Sequence, residues 1–233
     1  MPSVSAAENW DRLAQLDAMW AVLADTAKFG GKWDAREFFA TGEGILARLE
    51  AIERAGARIR YGVAVDFGCG LGRVSQWLAK RFTRVVGVDI SPRMLELAES
   101  YNSEPAPITF VRGNEENIPL ATASADFVYS FIALQHVPRS LQERYLREFC
   151  RIARPDGYLG FQIPSHPLDG GSPDFSFQVM TGTGPATVEM NAFPRAEVES
   201  HLQDCGCRVV AVLDDDSCGD GMQSYFYVAQ KQA

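Results

Sequence analysis

One segment, residues 63–73 (VAVDFGCGLGR), constrains the fold of this chain more than any other. It carries glycines at 68, 70 and 72, directly after a short β-branched run and directly before an amphipathic pattern with helical spacing. Glycine permits a tight turn and lets the backbone approach a ligand closely. The segment therefore predicts a buried strand, a ligand-binding loop and a helix in succession.

The same alternation of strand and helix patterns continues along the rest of the chain. Strands are predicted at 63–66, 84–88, 108–111, 126–131, 158–163, 208–213 and 224–229. Strands that alternate with amphipathic helices are typical of βαβ units and of an α/β fold with a parallel sheet. The last two predicted strands follow one another without a long helix, so at least one is predicted to pair antiparallel at a sheet edge.

Residues 1–60 are predicted to form a helical lid over a core at 61–233. Apolar residues recur there at helical spacing, and this spacing predicts amphipathic helices. Asn9 is the predicted cap of the first helix, and Asp34 with Glu37 has the pattern of a cap for the second.

A stretch at 164–193 stands out because it is rich in Gly, Pro, Ser and Thr and weak in periodicity. A loop of this length inside a compact domain is usually functional or disordered. It follows the fifth predicted strand, and open α/β sheets bind ligands at the carboxyl ends of their strands. We therefore expect a substrate-side loop at 164–193.

Charge and composition narrow the range of partners. The 30 acidic and 22 basic residues give a net charge of −8, which disfavours nucleic acid and anionic membranes. No apolar run approaches the roughly 18 residues that a membrane span needs. The five cysteines form no C-x-x-C pair and the first residues show no secretory leader, so we expect a cytoplasmic protein without a metal site. A small-molecule partner, bound by a monomer or homodimer, is the remaining expectation.

Two carboxylates indicate which ligand the glycine loop binds. Asp89 ends the second predicted strand, where a carboxylate can accept hydrogen bonds from both hydroxyls of a ribose. Asp66 lies where a pyrophosphate would approach the loop, and its charge suits an ammonium or sulfonium better. The dinucleotide fingerprint would also need a glycine at the position of Arg73. These residues predict a cationic nucleoside ligand.

Five segments in order, VAVDFGCGLGR, VVGVDIS, VRGNEENIPL, ADFVYSFIALQHV and RIARPDGYLGFQIP, span about residues 61–165. Together they resemble the motif series of class I S-adenosylmethionine-dependent methyltransferases, in the small-molecule branch similar to ubiquinone/menaquinone-biosynthesis methyltransferases. The resemblance implies a Rossmann-like, doubly wound sheet of seven strands whose last strand is antiparallel. It also implies S-adenosyl-L-methionine as cofactor and a small-molecule metabolite as acceptor, methylated on an O, N, S or C atom.

The resemblance further implies a set of cofactor-binding residues at the carboxyl ends of the strands. They are Asp66, Gly68 and Gly70 at the methionine moiety, Asp89 at the ribose, Ile90, Asn114 and Glu115 around the adenine, and Ser130 at the methionine amine. Many members of the family have Asp at the position of Asn114. An amide can both donate and accept, so recognition of the adenine edge remains possible with Asn114.

Methyl transfer from a sulfonium is an in-line displacement that depends on alignment and exclusion of water. A base is needed only when the acceptor atom loses a proton. His136 and His166 each follow a predicted strand, so both are candidate catalytic bases, and His166 is also a candidate substrate contact. The plainer alternatives are a loop cap for His136 and an exposed loop position for His166. Trp33 is a candidate substrate contact, and Lys32 or Arg36 could reach the cofactor carboxylate.

Two other function classes stay open at this stage. One is an NAD(P)-dependent oxidoreductase on a similar sheet, which Arg73 and the lack of a Tyr-x-x-x-Lys pair disfavour. The other is a nucleoside-binding module without catalytic turnover.

Overall fold

The computed structural model describes residues 5–102, 108–219 and 221–233. Within these ranges the helices are α1 (Ala6–Val22), α2 (Ala35–Ala40), α3 (Gly44–Arg54), α4 (Ser75–Leu78), α5 (Pro92–Tyr101), α6 (Arg139–Ile152) and α7 (Arg195–Asp204). The strands are β1 (Val63–Phe67), β2 (Arg84–Asp89), β3 (Ile108–Arg112), β4 (Ala125–Ser130), β5 (Ala153–Pro167), β6 (Asp174–Thr181), β7 (Gly184–Asn191), β8 (Cys207–Asp215) and β9 (Met222–Lys231). Short 3₁₀ turns lie at Thr26–Lys28, Thr41–Glu43 and Leu134–His136.

The main sheet has seven strands in the order β3-β2-β1-β4-β5-β9-β8. Strands β1 to β5 pair in parallel, whereas β9 is antiparallel to both of its neighbours. The predicted Rossmann-like sheet with an antiparallel last strand is therefore confirmed. Strand β5 is longer than predicted, because it pairs with β9 as far as Pro167.

Each face of the sheet carries its own apolar core, as the alternation of side chains along a strand requires. Val65 and Val128 pack in a cluster with α6 and α7. Ala64 and Phe127 pack on the other face with α3 and α4. Helix α3 thus belongs to the core layers, although residues 1–60 are predicted as a lid.

Helix α1 contains a kink at Asp17, whose backbone is extended. The Asp17 carboxylate accepts hydrogen bonds from the backbone N–H of Trp20 (3.1 Å), Gly30 (2.9 Å) and Gly31 (2.8 Å). These bonds cap the second part of α1 and fix the glycine turn that follows it. The last turn of α1 is thereby held over the loop after β1, where Val22 contacts Gly70.

The predicted helix caps are partly correct. Asp34 caps α2 by accepting the Glu37 N–H at 3.0 Å, as expected. The cap of α1 is Ser5, whose hydroxyl accepts the Glu8 N–H at 3.2 Å, so the expected role of Asn9 is wrong. Asn9 lies within α1, and its side chain bonds a strand remote in sequence.

The prediction that residues 164–193 form an irregular loop is wrong. The first of these residues complete β5, and the rest form a two-stranded antiparallel hairpin of β6 and β7. Phe175, Phe177 and Val179 alternate with polar residues in β6, a strand pattern that the surrounding Gly, Ser and Thr obscure. In the parts of the chain that the structure describes, no helix combines the length and apolar character needed to span a membrane.

Candidate functional site

A cleft lies at the carboxyl ends of β1, β2 and β4, beneath α1. Its lining includes six of the residues predicted from the sequence, namely Gly68, Asp89, Ile90, Asn114, Glu115 and His136. The side chains of Trp10, Val22, Ile132, Leu141 and Tyr145 make much of the remaining lining apolar. The structure thus brings the strand-end motifs together in one cleft.

The glycine loop forms the floor of this cleft. Gly68 and Gly70 have φ of +73° and +51°, a conformation that favours glycine. A Cβ added at Gly68 would lie 2.3 Å from the Cβ of Ala133, and one at Gly70 would lie 2.8 Å from a methyl group of Val22. The Gly68 N–H donates to the Val88 carbonyl at 2.8 Å, which joins the loop to the end of β2.

Asp89 occupies the end of β2 and faces the cleft. One carboxylate oxygen accepts the Gly70 N–H at 2.8 Å and the other accepts the Ser91 N–H at 2.9 Å. Burial raises the pKa of this carboxyl, and the backbone donors oppose that effect. A carboxylate has about four acceptor positions, so both oxygens can still accept further hydrogen bonds.

Helix α1 is joined to this floor through Asp11. Its carboxylate accepts hydrogen bonds from the Ser91 hydroxyl and from the Arg93 N–H, at the start of α5. A carboxylate is favourable at a helix N-terminus, where it meets free N–H groups. This contact holds α1 across the side of the cleft that contains Asp89.

The loop after β3 forms the side of the cleft where the sequence resemblance implies an adenine contact. The Asn114 side-chain oxygen accepts the N–H groups of Glu116 and Asn117, each at 2.8 Å. Its backbone carbonyl accepts the hydroxyl of Tyr145 at 2.9 Å, and burial raises the pKa of Tyr145 to about 12. Asn114 therefore shapes the loop through its oxygen. Tyr145 was not predicted for the site, although it lies one helical turn after Leu141 on the apolar stripe of α6.

His136 contacts the cleft with its orientation fixed from two sides. Its Nδ1 lies 2.6 Å from the carbonyl oxygen of Glu189, which can only accept, so Nδ1 carries the proton. Its Nε2 lies 3.2 Å from the Gln135 amide nitrogen, and the Trp10 ring packs edge-on at 5.4 Å. Burial lowers the pKa of His136 and the bond to Glu189 only partly offsets this. The imidazole is therefore neutral at pH 7, with its lone pair on Nε2.

The outer edge of β7 is bonded by side chains in place of a further strand. The backbone carbonyl oxygens of alternate residues in β7 accept hydrogen bonds from side chains. Pro185 accepts from Arg12 (2.9 Å), Thr187 from Asn9 (2.7 Å), Glu189 from His136 (2.6 Å) and Asn191 from Gln142 (3.0 Å). Asn9 also accepts the Thr187 N–H at 2.7 Å, so it bonds both backbone groups of that residue. The hairpin is thereby attached to α1, to His136 and to α6 beside the cleft.

Three predicted residues, Asp66, Gly70 and Ser130, are buried and are not among the described residues that line the cleft. Asp66 lines a recess that shares Gly68 and Val22 with the cleft, and it accepts the Ser75 hydroxyl at 2.6 Å. Burial raises the pKa of Asp66 to about 6. Ser130 is fully buried at the end of β4, and its hydroxyl has no partner among the described residues.

The structure does not bring His166 and Trp33 to the cleft. His166 is exposed and lies within the ladder of β5 and β9, opposite Gln223. Trp33 packs edge-on against Phe38 at 5.7 Å, under Lys28, in the cluster that joins α1 and α2. Neither is among the described residues that line the cleft. Their predicted roles as substrate contacts, and that of His166 as a base, therefore have no geometric support.

Comparisons with known proteins agree with this architecture. Residues 65–161 match the family described as "Methyltransferase domain". A malonyl-[acyl-carrier protein] O-methyltransferase of Pectobacterium atrosepticum is 33% identical over 124 residues, which are 52% of this chain and 43% of that protein. The chain thus spans less than half the length of that relative.

Solved structures extend the similarity to most of the chain. An S-adenosylmethionine-dependent methyltransferase of Methanosarcina mazei has a TM-score of 0.62 at 20% identity, covering 75% of this chain and 94% of that one. The magnesium protoporphyrin IX methyltransferase of Synechocystis has a TM-score of 0.63 at 18% identity, covering 95% and 98%. These similarities confirm the predicted fold.

Proposed function

We propose, on the premise that residues 65–161 form a methyltransferase domain of class I, that this protein is an S-adenosyl-L-methionine-dependent methyltransferase of small molecules. The observation that carries the proposal is the environment of Asp89. Its two oxygens are fixed by the Gly70 and Ser91 N–H groups at the wall of the cleft. This geometry suits the two hydroxyls of a ribose.

The residues present fit this cofactor. Asp89 would hold the ribose, Ile90 would lie against the adenine, and Asp66 would accept the ammonium of the methionine moiety. When bound, the cofactor supplies a methyl group on a positively charged sulfur. Asp66 would oppose the pyrophosphate of a nicotinamide dinucleotide, which supports the methyltransferase over the oxidoreductase.

His136 is the proposed catalytic base. Its neutral imidazole carries the lone pair on Nε2, because Nδ1 donates to Glu189. The Gln135 amide donates to this lone pair at 3.2 Å and would be displaced by the acceptor. A base at this position can take the proton from a hydroxyl or amine acceptor as the new bond forms. The Trp10 ring packs against this imidazole and the hairpin bonds its Nδ1; a site that excludes water favours the in-line displacement.

The acceptor is proposed to be a small, largely apolar molecule. Trp10, Ile132, Leu141 and Tyr145 make the wall beside His136 apolar. The named relatives act on malonyl-[acyl-carrier protein] and on magnesium protoporphyrin IX, so acceptors differ widely on this fold. We further propose, from the net charge of −8 and the free cysteines, that the protein acts in the cytoplasm, as a monomer or homodimer, and not on nucleic acid.

Calorimetric titration with S-adenosylhomocysteine and with NAD tests the proposal. We expect S-adenosylhomocysteine to bind one to one and NAD to give no heat. Binding of NAD without binding of S-adenosylhomocysteine would overturn the proposal. A screen with methyl-labelled cofactor and a panel of apolar hydroxyl and amine acceptors then distinguishes an enzyme from a binding module, since only an enzyme transfers the label.

A further inference from the structure

The amide of Gln135 lies against the imidazole of His136 and has one atom without a partner. Gln135 is 5% exposed and belongs to the 3₁₀ turn that ends at His136. Its Nε2 lies 3.2 Å from the Nε2 of His136, while its Oε1 is buried and has no hydrogen-bond partner among the described residues. Buried polar atoms are nearly always paired, because an unpaired one is costly, so this oxygen calls for an explanation.

The observed orientation of this amide fits only the neutral imidazole. An amide nitrogen donates and does not accept, so the 3.2 Å contact requires a lone pair on the Nε2 of His136. Once that nitrogen carries a proton, the amide N–H and the imidazolium N–H face each other as two donors, and the contact becomes repulsive. Transfer of a proton to His136 therefore requires the Gln135 amide to change its position.

The amide can make this change by turning in place. Rotation by half a turn about its terminal bond exchanges the oxygen and the nitrogen, which have nearly the same size. The contact with His136 is the only side-chain hydrogen bond of Gln135 in the described part of the chain, so no other bond fixes one orientation. After the turn, Oε1 can accept from the Nε2–H group, as the Glu189 carbonyl oxygen accepts from Nδ1–H. One amide atom lacks a partner in either orientation, so the turn adds no further unpaired group.

We propose that Gln135 is a positioning residue whose amide donates to the neutral His136 and, after turning, accepts a hydrogen bond from the imidazolium. This role rests on the proposed function, in which His136 is the base. The methyl acceptor first displaces the amide N–H from Nε2.

The proton, electrons and charge balance in this step. The O–H or N–H bond of the acceptor breaks, its electron pair stays on the acceptor atom as a lone pair of that atom bonds the methyl carbon, and the proton forms the Nε2–H bond. The S–C bond breaks and its electrons remain on sulfur. The positive charge lost by the sulfur thus appears on the imidazolium of His136, between two carbonyl oxygens. When the product has left, the imidazolium returns the proton to water.

No charged side chain in the described part of the chain has this role at His136. Burial lowers the pKa of His136 and the bond to the Glu189 carbonyl raises it, without a contribution from an ionised group among these residues. The titratable groups that line the cleft are Asp89 at the end of β2, Glu115 after β3 and Tyr145 on α6. The hairpin meets the imidazole with the backbone of Glu189, and α1 meets it with the uncharged ring of Trp10.

An NMR titration of the histidine ring signals tests the proposal without a methyl acceptor. The chain has three histidines, and His136→Ala identifies the signal of interest. Gln135→Met removes both polar atoms of the amide at similar size, whereas Gln135→Glu supplies a carboxylate that only accepts. A hydrogen bond from a charged donor is stronger than a neutral one, so Gln135→Met should lower the pKa of His136 by about half to one pH unit. Gln135→Glu should raise it by about one pH unit or more.

The direction of the shift in Gln135→Met distinguishes the possible roles of the amide. If the amide only donates to the neutral imidazole, its removal raises the pKa of His136, and a purely structural role leaves this pKa unchanged in both variants. Either result would overturn the proposal, and an unchanged pKa in Gln135→Glu alone is sufficient to reject it. The pKa values of His166 and His201, read in the same spectra, should not change and report on the fold.

The proposed function can fail separately from this pairing. If the expected pKa shifts occur in a protein that does not bind S-adenosylhomocysteine, the methyltransferase assignment is wrong, and with it the role of Gln135 in that reaction. If S-adenosylhomocysteine binds and the pKa of His136 does not respond to Gln135, only the positioning role is wrong.

Discussion

The cleft has a floor, formed by the glycine loop and the end of β2, and a roof, formed by α1 and the hairpin of β6 and β7. The two are built by different means. In the floor, the glycine loop and the end of β2 are joined by bonds such as that from the Gly70 N–H to Asp89, 19 residues apart. In the roof, α1 and the hairpin are joined by bonds such as those of Asn9 to Thr187, 178 residues apart. Backbone conformation determines the floor, whereas a few side-chain contacts hold the roof. We therefore expect floor substitutions to change cofactor binding and roof substitutions to change turnover and local stability.

The largest expected effect is the loss of turnover on substitution of His136, which lines the cleft and bonds the hairpin. His136→Ala should lower kcat about 100-fold if the acceptor loses a proton, since a base contributes about that much or more. Affinity for S-adenosylhomocysteine should not change. Because burial lowers the pKa of His136, the wild-type rate should be flat above pH 7 and fall at lower pH as the imidazole gains a proton. A comparable loss of kcat in His166→Ala would contradict the placement of the base.

Asp89→Ala tests the floor. Loss of a carboxylate that accepts two ribose hydroxyls should weaken S-adenosylhomocysteine binding about 30- to 100-fold. The matched roof variant is Asp11→Ala, which removes the contact of α1 with Ser91 and Arg93. Its effect on cofactor affinity, measured by the same calorimetric titration, should be clearly smaller. Equal losses would show that floor and roof are not separable in this way.

Acid pH should weaken cofactor binding through Asp66. Its pKa is raised to about 6, so this carboxyl is ionised at pH 7.5 and mostly protonated at pH 5. A protonated Asp66 no longer attracts the cofactor ammonium, and the affinity at pH 5 should be about tenfold lower than at pH 7.5. Asp66→Asn should show a shallower pH dependence. An affinity for S-adenosylhomocysteine that is constant from pH 5 to pH 7.5 would argue against this role.

The smallest expected effect is the local loss of stability on substitution of Asn9 in the roof. Asn9→Ala removes both bonds to Thr187 and should destabilise the hairpin by about 1–2 kcal/mol. Amide hydrogen exchange in β7 should become faster, while exchange in β1 and β2 stays unchanged. Glu50→Ala is the control, because it removes only an exposed ion pair with Arg54 within α3. Equal exchange rates in both variants would contradict the stated role of Asn9.

The sequence predicts the floor well because the floor follows local rules. The glycines require positive φ, and Asp89 directly follows a β-branched run, so both can be recognised in a short window. The same local reasoning treats His136 and His166 alike, since each follows a predicted strand. Strand β5 extends past His166 only because β9, far along the chain, pairs with it. No local pattern contains that pairing.

The roof escapes prediction for the same reason. The side chain of Asn9 gives no sign that its partner is the backbone of β7, and the composition of 164–193 resembles that of a loop. Arg73 is visible in the sequence only as a departure from the dinucleotide fingerprint. Its unpartnered Nε, and the recess that it shares with Asp66, depend on tertiary packing.

The side chains on the outer edge of β7 also affect how this protein meets other molecules. A strand edge with free carbonyl and N–H groups is a template for pairing with a strand of another chain. Along β7, the carbonyl groups of Pro185, Thr187, Glu189 and Asn191 already have internal partners. The contacts that attach the hairpin beside the cleft therefore also protect this edge from intermolecular strand addition and aggregation.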